Sequence, residues 1–148
     1  MTLGYYDDDT ANDELFTEDG WMLMGDIVRF KDDCLQVVGR ASDFIIRGGK
    51  NISAPAVEAE VMTHPAVRLA AAVAAPDEVF GERVAVYVEL REGASLDLED
   101  LNEHLKSRGV SKEWFPEYLV VIDTIPRSSG AKMAKGELRE DIIRRLES

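Results

Sequence analysis

A segment near the end of the chain, residues 126–135 (PRSSGAKMAK), combines small residues with two lysines, Lys132 and Lys135. Because small residues make a loop flexible, such a segment can bring an ammonium group against a developing negative charge and then withdraw it. One well-placed donor typically contributes about 3–4 kcal/mol to transition-state stabilisation. A basic surface loop before a helix is the plainer interpretation, and Lys132 is the candidate catalytic residue if the loop does chemistry.

Three earlier positions have residue types that could contact a ligand. Asp26 lies in a predicted strand, where a carboxylate can accept hydrogen bonds from the hydroxyl pair of a ribose. Arg40 follows a strand and a glycine, and a guanidinium there can bind phosphate or ribose oxygens. Gly48 and Gly49 allow the backbone to approach a ligand closely. Each signal alone is more typical of a surface residue or a turn. The segment around the two glycines, residues 47–51, contains neither the P-loop nor the dinucleotide-binding pattern.

The elements that must position these residues are predicted from turn signals and hydrophobic periodicity. Residues 1–19 are acid-rich without periodicity, so we expect irregular structure there. Beyond them the pattern predicts a β-hairpin with its turn at residues 31–33, then a short strand over 44–46. The paired glycines are predicted to lie between that strand and a helix that Ser53 caps.

The second half of the chain alternates between strand and helix patterns. Residues 66–75, 83–90 and 118–122 are predicted strands, and two helices are predicted from leucine and isoleucine spacing around 98–105 and 138–146. This order predicts an α+β fold, a small sheet with packed helices. A shift in composition near residue 40 divides the chain. We expect residues 1–40 to be the tail of a larger domain, since so short a stretch cannot fold alone, and residues 41–148 to form a second domain.

Composition and charge exclude several classes of function. A net charge of −12 argues against general nucleic-acid binding, because a phosphate backbone requires a basic face. There is no apolar run of about 18 residues and no secretory signal pattern. One cysteine, Cys34, cannot form an internal disulfide, and two separated histidines argue against a zinc site. These features predict a cytoplasmic protein with no transmembrane segment.

The order of five motifs resembles the adenylate-forming superfamily of acyl-CoA synthetases, peptide-synthetase adenylation domains and luciferases. The similar stretches are residues 19–26 (DGWMLMGD, against D-G-W-x-x-T-G-D), 39–49 (GRASDFIIRGG, against G-R-x-x-D-x-I-x-x-G-G), 57–67 (VEAEVMTHPAV, against V-E-x-x-L-x-x-H-P-x-V), 76–82 (PDEVFGE, against P-D-x-x-x-G-E) and 126–140 (PRSSGAKMAKGELRE, against P-R-T-x-S-G-K-x-x-[RK]-x-x-L-R). The resemblance covers nearly the whole chain.

The resemblance implies the C-terminal portion of an AMP-forming acyl-CoA ligase, with ATP, Mg²⁺ and coenzyme A as substrates of the full enzyme. A carboxylic acid attacks the α-phosphate of ATP to give acyl-AMP and pyrophosphate, and a thiol then displaces AMP. It implies that Asp26 binds ribose, that Arg40 contacts ATP, and that Lys132 bridges the carboxylate and the α-phosphate. In such enzymes the small domain rotates between the two steps.

The same resemblance implies the parts that rotation requires. Ser42 would be the hinge, and Gly48-Gly49 would face the pantetheine arm of coenzyme A. The domain that holds the ATP phosphate loop and the acyl pocket is not in this sequence. We therefore expect the partner to be the chain's own N-terminal AMP-binding domain, the substrate a small carboxylic acid, and the fragment to be inactive alone and to bind no cofactor stably. A homo-oligomer is compatible with the sequence.

Three positions depart from the family pattern. Met24 stands where the family has Thr, Ser42 where it has Asp or Lys, and Ala131 where it has Gly, which would cost roughly 1 kcal/mol if that position requires a positive φ. These departures motivate one alternative, a non-catalytic module that has kept the fold. The other alternative is the end of an adenylation domain that loads a carrier protein.

Overall fold

A computed structural model describes residues 4–128 and 132–147, apart from the side chain of Val38. The chain divides into two compact units, Met1–Ser42 and Asp43–Ser148. In chain order the elements are α1 (Asp9–Leu15), β1 (Asp26–Lys31), β2 (Cys34–Arg40), a 3-10 turn (Ala41–Asp43), β3 (Phe44–Arg47), β4 (Lys50–Ser53), α2 (Ala54–Val61), β5 (Val67–Asp77), β6 (Gly81–Leu90), α3 (Leu98–Ser107), a 3-10 turn (Lys112–Trp114), β7 (Tyr118–Val121) and α4 (Lys135–Glu147). No helix in the described part is long and apolar enough to cross a membrane.

The first unit contains a short helix that the sequence analysis did not predict. We expected residues 1–19 to be irregular, but α1 lies within them. Its cap explains it: the side chain of Asp8 accepts a hydrogen bond from the Ala11 N–H at 3.0 Å, and Asp9 adds a carboxylate to the first turn. Negative charge there is favoured because the first backbone N–H groups of a helix have no partner within it.

The β-hairpin of the first unit is confirmed. Strands β1 and β2 pair antiparallel, with Asp26 opposite Arg40 and Lys31 opposite Cys34. The turn residues Asp32 and Asp33 have φ of 52° and 58°. This left-handed pair matches the twist of the strands, and aspartate tolerates it better than most residues.

The second unit is a sheet with helices on both faces. Among the described strands the order is β4-β3-β6-β5, all antiparallel, and β7 adds to β6 in parallel. The longest pairing in this sheet is between β5 and β6, Val67–Asp77 against Gly81–Leu90. The predicted α+β class is confirmed.

Alternate residues of β5 and β6 fill two separate cores. On one face Val84, Val86 and Val88 join residues of α2 and α3. On the other face Ala85 and Tyr87 join Leu138, Ile142 and other residues under α4. Because successive side chains of a strand point to opposite faces, the long β5–β6 pair can support helices on both sides. Lys132, the candidate catalytic residue, lies three residues before the start of α4.

Helices α2 and α3 meet near a pair of histidines. The rings of His64 and His104 lie edge to face with centroids 4.8 Å apart, and His104 Nε2 lies 2.9 Å from Thr63 Oγ1. Burial, then the neighbouring His64 and the Arg108 guanidinium, lower the pKa of His104 from its ordinary value of 6.5. Glu60 opposes this shift.

This lowered pKa predicts that the domain loses stability on acidification. The unfolded chain takes up a proton at His104 before the folded chain does, so the free energy of unfolding falls as pH drops from about 7 through the folded pKa. Urea denaturation across this range should show a steeper loss for the natural chain than for His104→Gln. Equal pH dependence for the two proteins would contradict the assignment.

Candidate functional site

Asp26 and Arg40 lie together at one end of the hairpin. Arg40 Nε donates to Asp26 Oδ1 at 3.2 Å, directly across the paired strands. The backbone is fixed there by the Ala41 N–H, which donates to the Gly25 carbonyl at 2.8 Å, and Gly25 has φ of +68°. An exposed ion pair contributes little stability, so Asp26 and Arg40 can give up their contact for contacts to a ligand with little loss of free energy. The structure thus brings together a carboxylate suited to ribose hydroxyls and a guanidinium suited to phosphate.

Gly48 and Gly49 form the turn of a β-hairpin between β3 and β4. We predicted this turn between a strand and a helix. Strand β4 was missed, and α2 begins after Ser53, its predicted cap. The two glycines have φ of +55° and +80°, which other residues adopt at a cost. A side chain on Gly49 would meet nothing within 4 Å, so the requirement for glycine is conformational there.

A surface cavity of about 430 Å³ lies beside this turn, lined by Arg47, Gly48, Lys50, Phe80, Lys112 and Glu113. The guanidinium of Arg47 lies 5.5 Å from the ring centroid of Phe80, and its Nη1 donates to the Glu113 carbonyl at 3.0 Å. The lining contains three basic residues and one acidic residue, but Lys50 pairs with Glu113 and Arg47 pairs with Glu117. The lining is therefore only weakly cationic, in contrast to the acidic chain as a whole.

Sequence reasoning did not assign Lys50, Phe80 or Lys112 to a site. They are far apart in the sequence, and the fold brings them together: Arg47 pairs with Gly81 across β3 and β6, and the Gly48 N–H donates to the Phe80 carbonyl at 2.8 Å. The signals in the sequence were the glycine pair next to Lys50 and the motif that contains Phe80, and both mark turns without showing what they face.

Residues 126–128 pair antiparallel with residues 132–134, an arrangement we call the lysine hairpin, and the side chain of Lys132 is exposed. Its carbonyl accepts the Ser128 N–H at 2.8 Å, and the Ala134 N–H donates to the Pro126 carbonyl at 2.8 Å. Residues 129–131, including the Gly130-Ala131 pair, lie outside the described residues. The hairpin holds Lys132 at the surface, where its amine can reach a ligand.

The lysine hairpin and the glycine turn occupy separate places on the second unit. Met133 packs against the core beneath α4, whereas the Gly48 N–H donates to the carbonyl of Phe80, just before β6. Asp26 and Arg40 belong to the first unit, and the division between the units follows Ser42. Among the described residues no group of three or more His, Cys, Asp or Glu could hold a metal ion.

A profile of the AMP-binding enzyme C-terminal domain matches residues 56–132. The chain belongs to this family. The family resemblance inferred from the five motifs is thereby confirmed, and the AMP-binding C-terminal domain includes the glycine-turn cavity residues Phe80 and Lys112 as well as Lys132.

Curated relatives are similar to this chain over nearly its whole length. The medium-chain fatty-acid–CoA ligase of Escherichia coli is 38% identical over 146 residues, which are 97% of this chain and 26% of the relative. The 2,3-dihydroxybenzoate–AMP ligase of Bacillus subtilis is 39% identical over 144 residues, 97% of the chain and 26% of the relative. A salicyl-AMP ligase / salicyl-S-ArCP synthetase of Mycobacterium tuberculosis is 38% identical over 133 residues, which are 89% of this chain and 23% of the relative. The chain spans about a quarter of the length of these relatives.

Solved structures confirm the fold. ATP-bound MatB from Rhodopseudomonas palustris superposes with a TM-score of 0.77 at 27% identity, over 94% of this chain and 28% of that one. Apo MbtA from Mycobacterium smegmatis gives a TM-score of 0.65 at 38% identity, over 93% of this chain and 27% of that one.

Proposed function

We propose that this chain is the C-terminal part of an AMP-forming acyl-CoA ligase and presents Lys132 to the adenylation reaction. The observation that carries the proposal is the exposed Lys132 on a hairpin fixed at its base, within a domain of this family. In the reaction, a carboxylate oxygen attacks the α-phosphate of Mg-ATP and pyrophosphate leaves. The thiolate of coenzyme A then attacks the acyl carbon, and AMP leaves.

Lys132 would act where two anions meet. The carboxylate and the α-phosphate repel each other, and negative charge accumulates on the phosphoryl oxygens as the new bond forms. A fixed ammonium beside both groups offsets that repulsion, and it does so most strongly where water is excluded. Asp26 and Arg40 would bind the ribose hydroxyls and a phosphate, which fits their chemistry and their closeness.

Ser42 would be the pivot between the two half-reactions. The boundary between the compact units falls directly after it, which is where a rotation of the second unit requires a change of backbone angles. A hinge has only to absorb that change, so serine is physically acceptable in place of the charged residue of the family pattern.

The glycine turn would face the thiol substrate in the second half-reaction. Its backbone is open to close approach, and the cationic cavity beside it suits the phosphates of coenzyme A. The chain therefore offers one surface for each half-reaction, which fits an enzyme whose small domain alternates between two orientations.

This role of the turn predicts a selective effect of Gly49→Val. A β-branched side chain strains a residue with φ of +80°, so the turn should rearrange and thioester formation from supplied acyl-AMP should fall at least about tenfold. Adenylation should change little. Gly93→Val is the matched control, because Gly93 has φ of +73° with equally open surroundings but lies in another loop. Equal losses for the two variants would contradict the assignment.

The exposed apolar side chains of the first unit suit packing against a partner domain. None of the unit's described side chains is buried, and Trp21 and Phe30 are 73% and 79% exposed. A stretch of about 40 residues without a buried core does not fold independently. We propose that these apolar side chains pack against the N-terminal AMP-binding domain of the same enzyme.

The test uses a paired enzyme, defined as this chain joined to the N-terminal part of the Escherichia coli ligase in place of the matched stretch. With ATP, Mg²⁺, coenzyme A and a panel of fatty and aromatic acids, the paired enzyme should release AMP and form acyl-CoA. The chain alone should do neither. Robust AMP release by the chain alone, or a folded but inactive paired enzyme, would contradict the proposal.

A second candidate is the end of an adenylation domain that loads a carrier protein, and the similarity to a salicyl-S-ArCP synthetase favours it. The first half-reaction is the same, but the acceptor is a protein-bound phosphopantetheine. Comparing coenzyme A with a carrier protein as acceptor in the paired enzyme distinguishes the two. A cationic cavity beside the turn favours coenzyme A, which carries more phosphate.

A further inference from the structure

Lys135, three residues after Lys132, points inward. Its Nζ lies 2.8 Å from Glu58 Oε1 and 3.9 Å from Asp43 Oδ1, and its side chain is only 16% exposed. Lys132 in the same short segment is exposed. Two lysines of identical chemistry thus have different roles, since one is available to a ligand and the other holds the protein together.

Glu58 is a fixed anchor for Lys135. It is buried, and its Oε1 accepts the Ala72 N–H at 2.7 Å. Ala72 belongs to β5, an edge strand among the described strands, so the carboxylate binds helix α2 to the edge of the sheet. A buried carboxylate requires a cation nearby, and Lys135 provides it. Because Lys135 is the first residue of α4, the contact also fixes where that helix begins.

Asp43 extends the ion cluster to the proposed pivot. It is the first residue of the second unit and directly follows Ser42. The cluster Asp43–Lys135–Glu58 therefore joins the start of the unit, helix α2 and the start of α4.

The two residues between this cluster and Lys132 are both held in place. Of the two intervening residues, Met133 packs against the core beneath α4, and the Ala134 N–H donates to the Pro126 carbonyl at 2.8 Å. The Lys132 carbonyl is itself held by Ser128. A displacement at Lys135 would be transmitted along this short, bonded stretch to Lys132.

We propose that Lys135 is a positioning residue for adenylation. The cluster Asp43–Lys135–Glu58 fixes the lysine hairpin to the residue after the pivot, so that rotation about Ser42 carries Lys132 as part of one rigid body. This inference rests on the function proposed for Lys132 and assigns the neighbouring lysine a separate role, without contact to the substrate.

The test compares both half-reactions in the paired enzyme. Lys135→Gln should lower kcat for acyl-adenylate formation by about 10- to 100-fold, because a displaced Lys132 ammonium stabilises the transition state less. The KM values for ATP and acid, and thioester formation from supplied acyl-AMP, should change little. Lys135→Arg should restore most of the rate, and Lys106→Gln, on an exposed lysine of α3, should change neither half-reaction. A normal adenylation rate in Lys135→Gln would overturn the proposal.

A double variant separates positioning from stability. Glu58→Gln combined with Lys135→Gln leaves no buried carboxylate without a cation, so its melting temperature should exceed that of Lys135→Gln. Its adenylation rate should nevertheless stay low. A rate that recovers together with the melting temperature would overturn the proposal, because Lys135 would then act through stability alone.

Lys132→Ala in the same enzyme separates this proposal from the proposed function. Full adenylation by Lys132→Ala would overturn the function assigned to this chain, whatever Lys135→Gln does. Loss of adenylation in Lys132→Ala together with full activity in Lys135→Gln would overturn only the positioning role.

Discussion

Replacing Lys132 by alanine should lower acyl-adenylate formation in the paired enzyme by about 100- to 1,000-fold, the usual effect of removing one transition-state donor. The amine would be the cation closest to the forming bond between carboxylate and α-phosphate, and water in its place cannot supply a fixed charge. Thioester formation from supplied acyl-AMP should stay within a few-fold of normal, since the glycine turn rather than the lysine would face the substrate then. Pyrophosphate release and acyl-CoA formation measure the two steps separately.

The control for this variant is Lys106→Ala, which also removes an exposed lysine but from helix α3. It should leave both half-reactions unchanged. Equal losses of the two half-reactions in Lys132→Ala would show that residue 132 maintains the domain rather than the adenylation chemistry, and would refute its assigned role.

Ile142→Ala should destabilise the second unit by about 2–5 kcal/mol, the range for removing a large buried aliphatic side chain. Ile142 is 2% exposed and lies in the core beneath α4 with Leu138 and Tyr87. Because α4 begins three residues after Lys132, loosening the helix should also weaken the support of the lysine hairpin. Urea denaturation gives the change in free energy of unfolding.

The neighbouring residue on the same helix supplies a matched control. Ile143 is 40% exposed, and Ile143→Ala should cost no more than about 1 kcal/mol, since it removes less buried surface than Ile142→Ala. If both variants destabilised the protein alike, helix α4 would not be docked through the face described here.

The middle of the fold could be predicted because its signals are local. Ser53 caps α2 through the Ala56 N–H, Gly109 has φ of +77° just after α3, and the valines of β6 alternate as a strand requires. Helix α1 was missed because its sequence has no hydrophobic periodicity and the capping aspartate was the one local signal for it. Strand β4 was missed because its four residues (KNIS) contain one apolar side chain, so only pairing with β3 defines it.

The spatial arrangement of the candidate residues could be predicted only in part, for the same physical reason, and their roles stay predictions. The motifs located Asp26, Arg40 and Lys132, and register across the hairpin then placed Asp26 beside Arg40. Spacing alone could not show which of two lysines is exposed, because that depends on Glu58, a residue of another helix. The cationic cavity also depends on contacts between distant strands, which no local pattern indicates.

A structure of the paired enzyme with a non-hydrolysable acyl-AMP analogue tests the central claim most directly. The account predicts that Lys132 Nζ lies about 3 Å from an oxygen at the junction of the acyl and phosphate groups, with Asp26 on the ribose. A fully bound adenylate with another cation at that junction, and Lys132 in solvent, would contradict it.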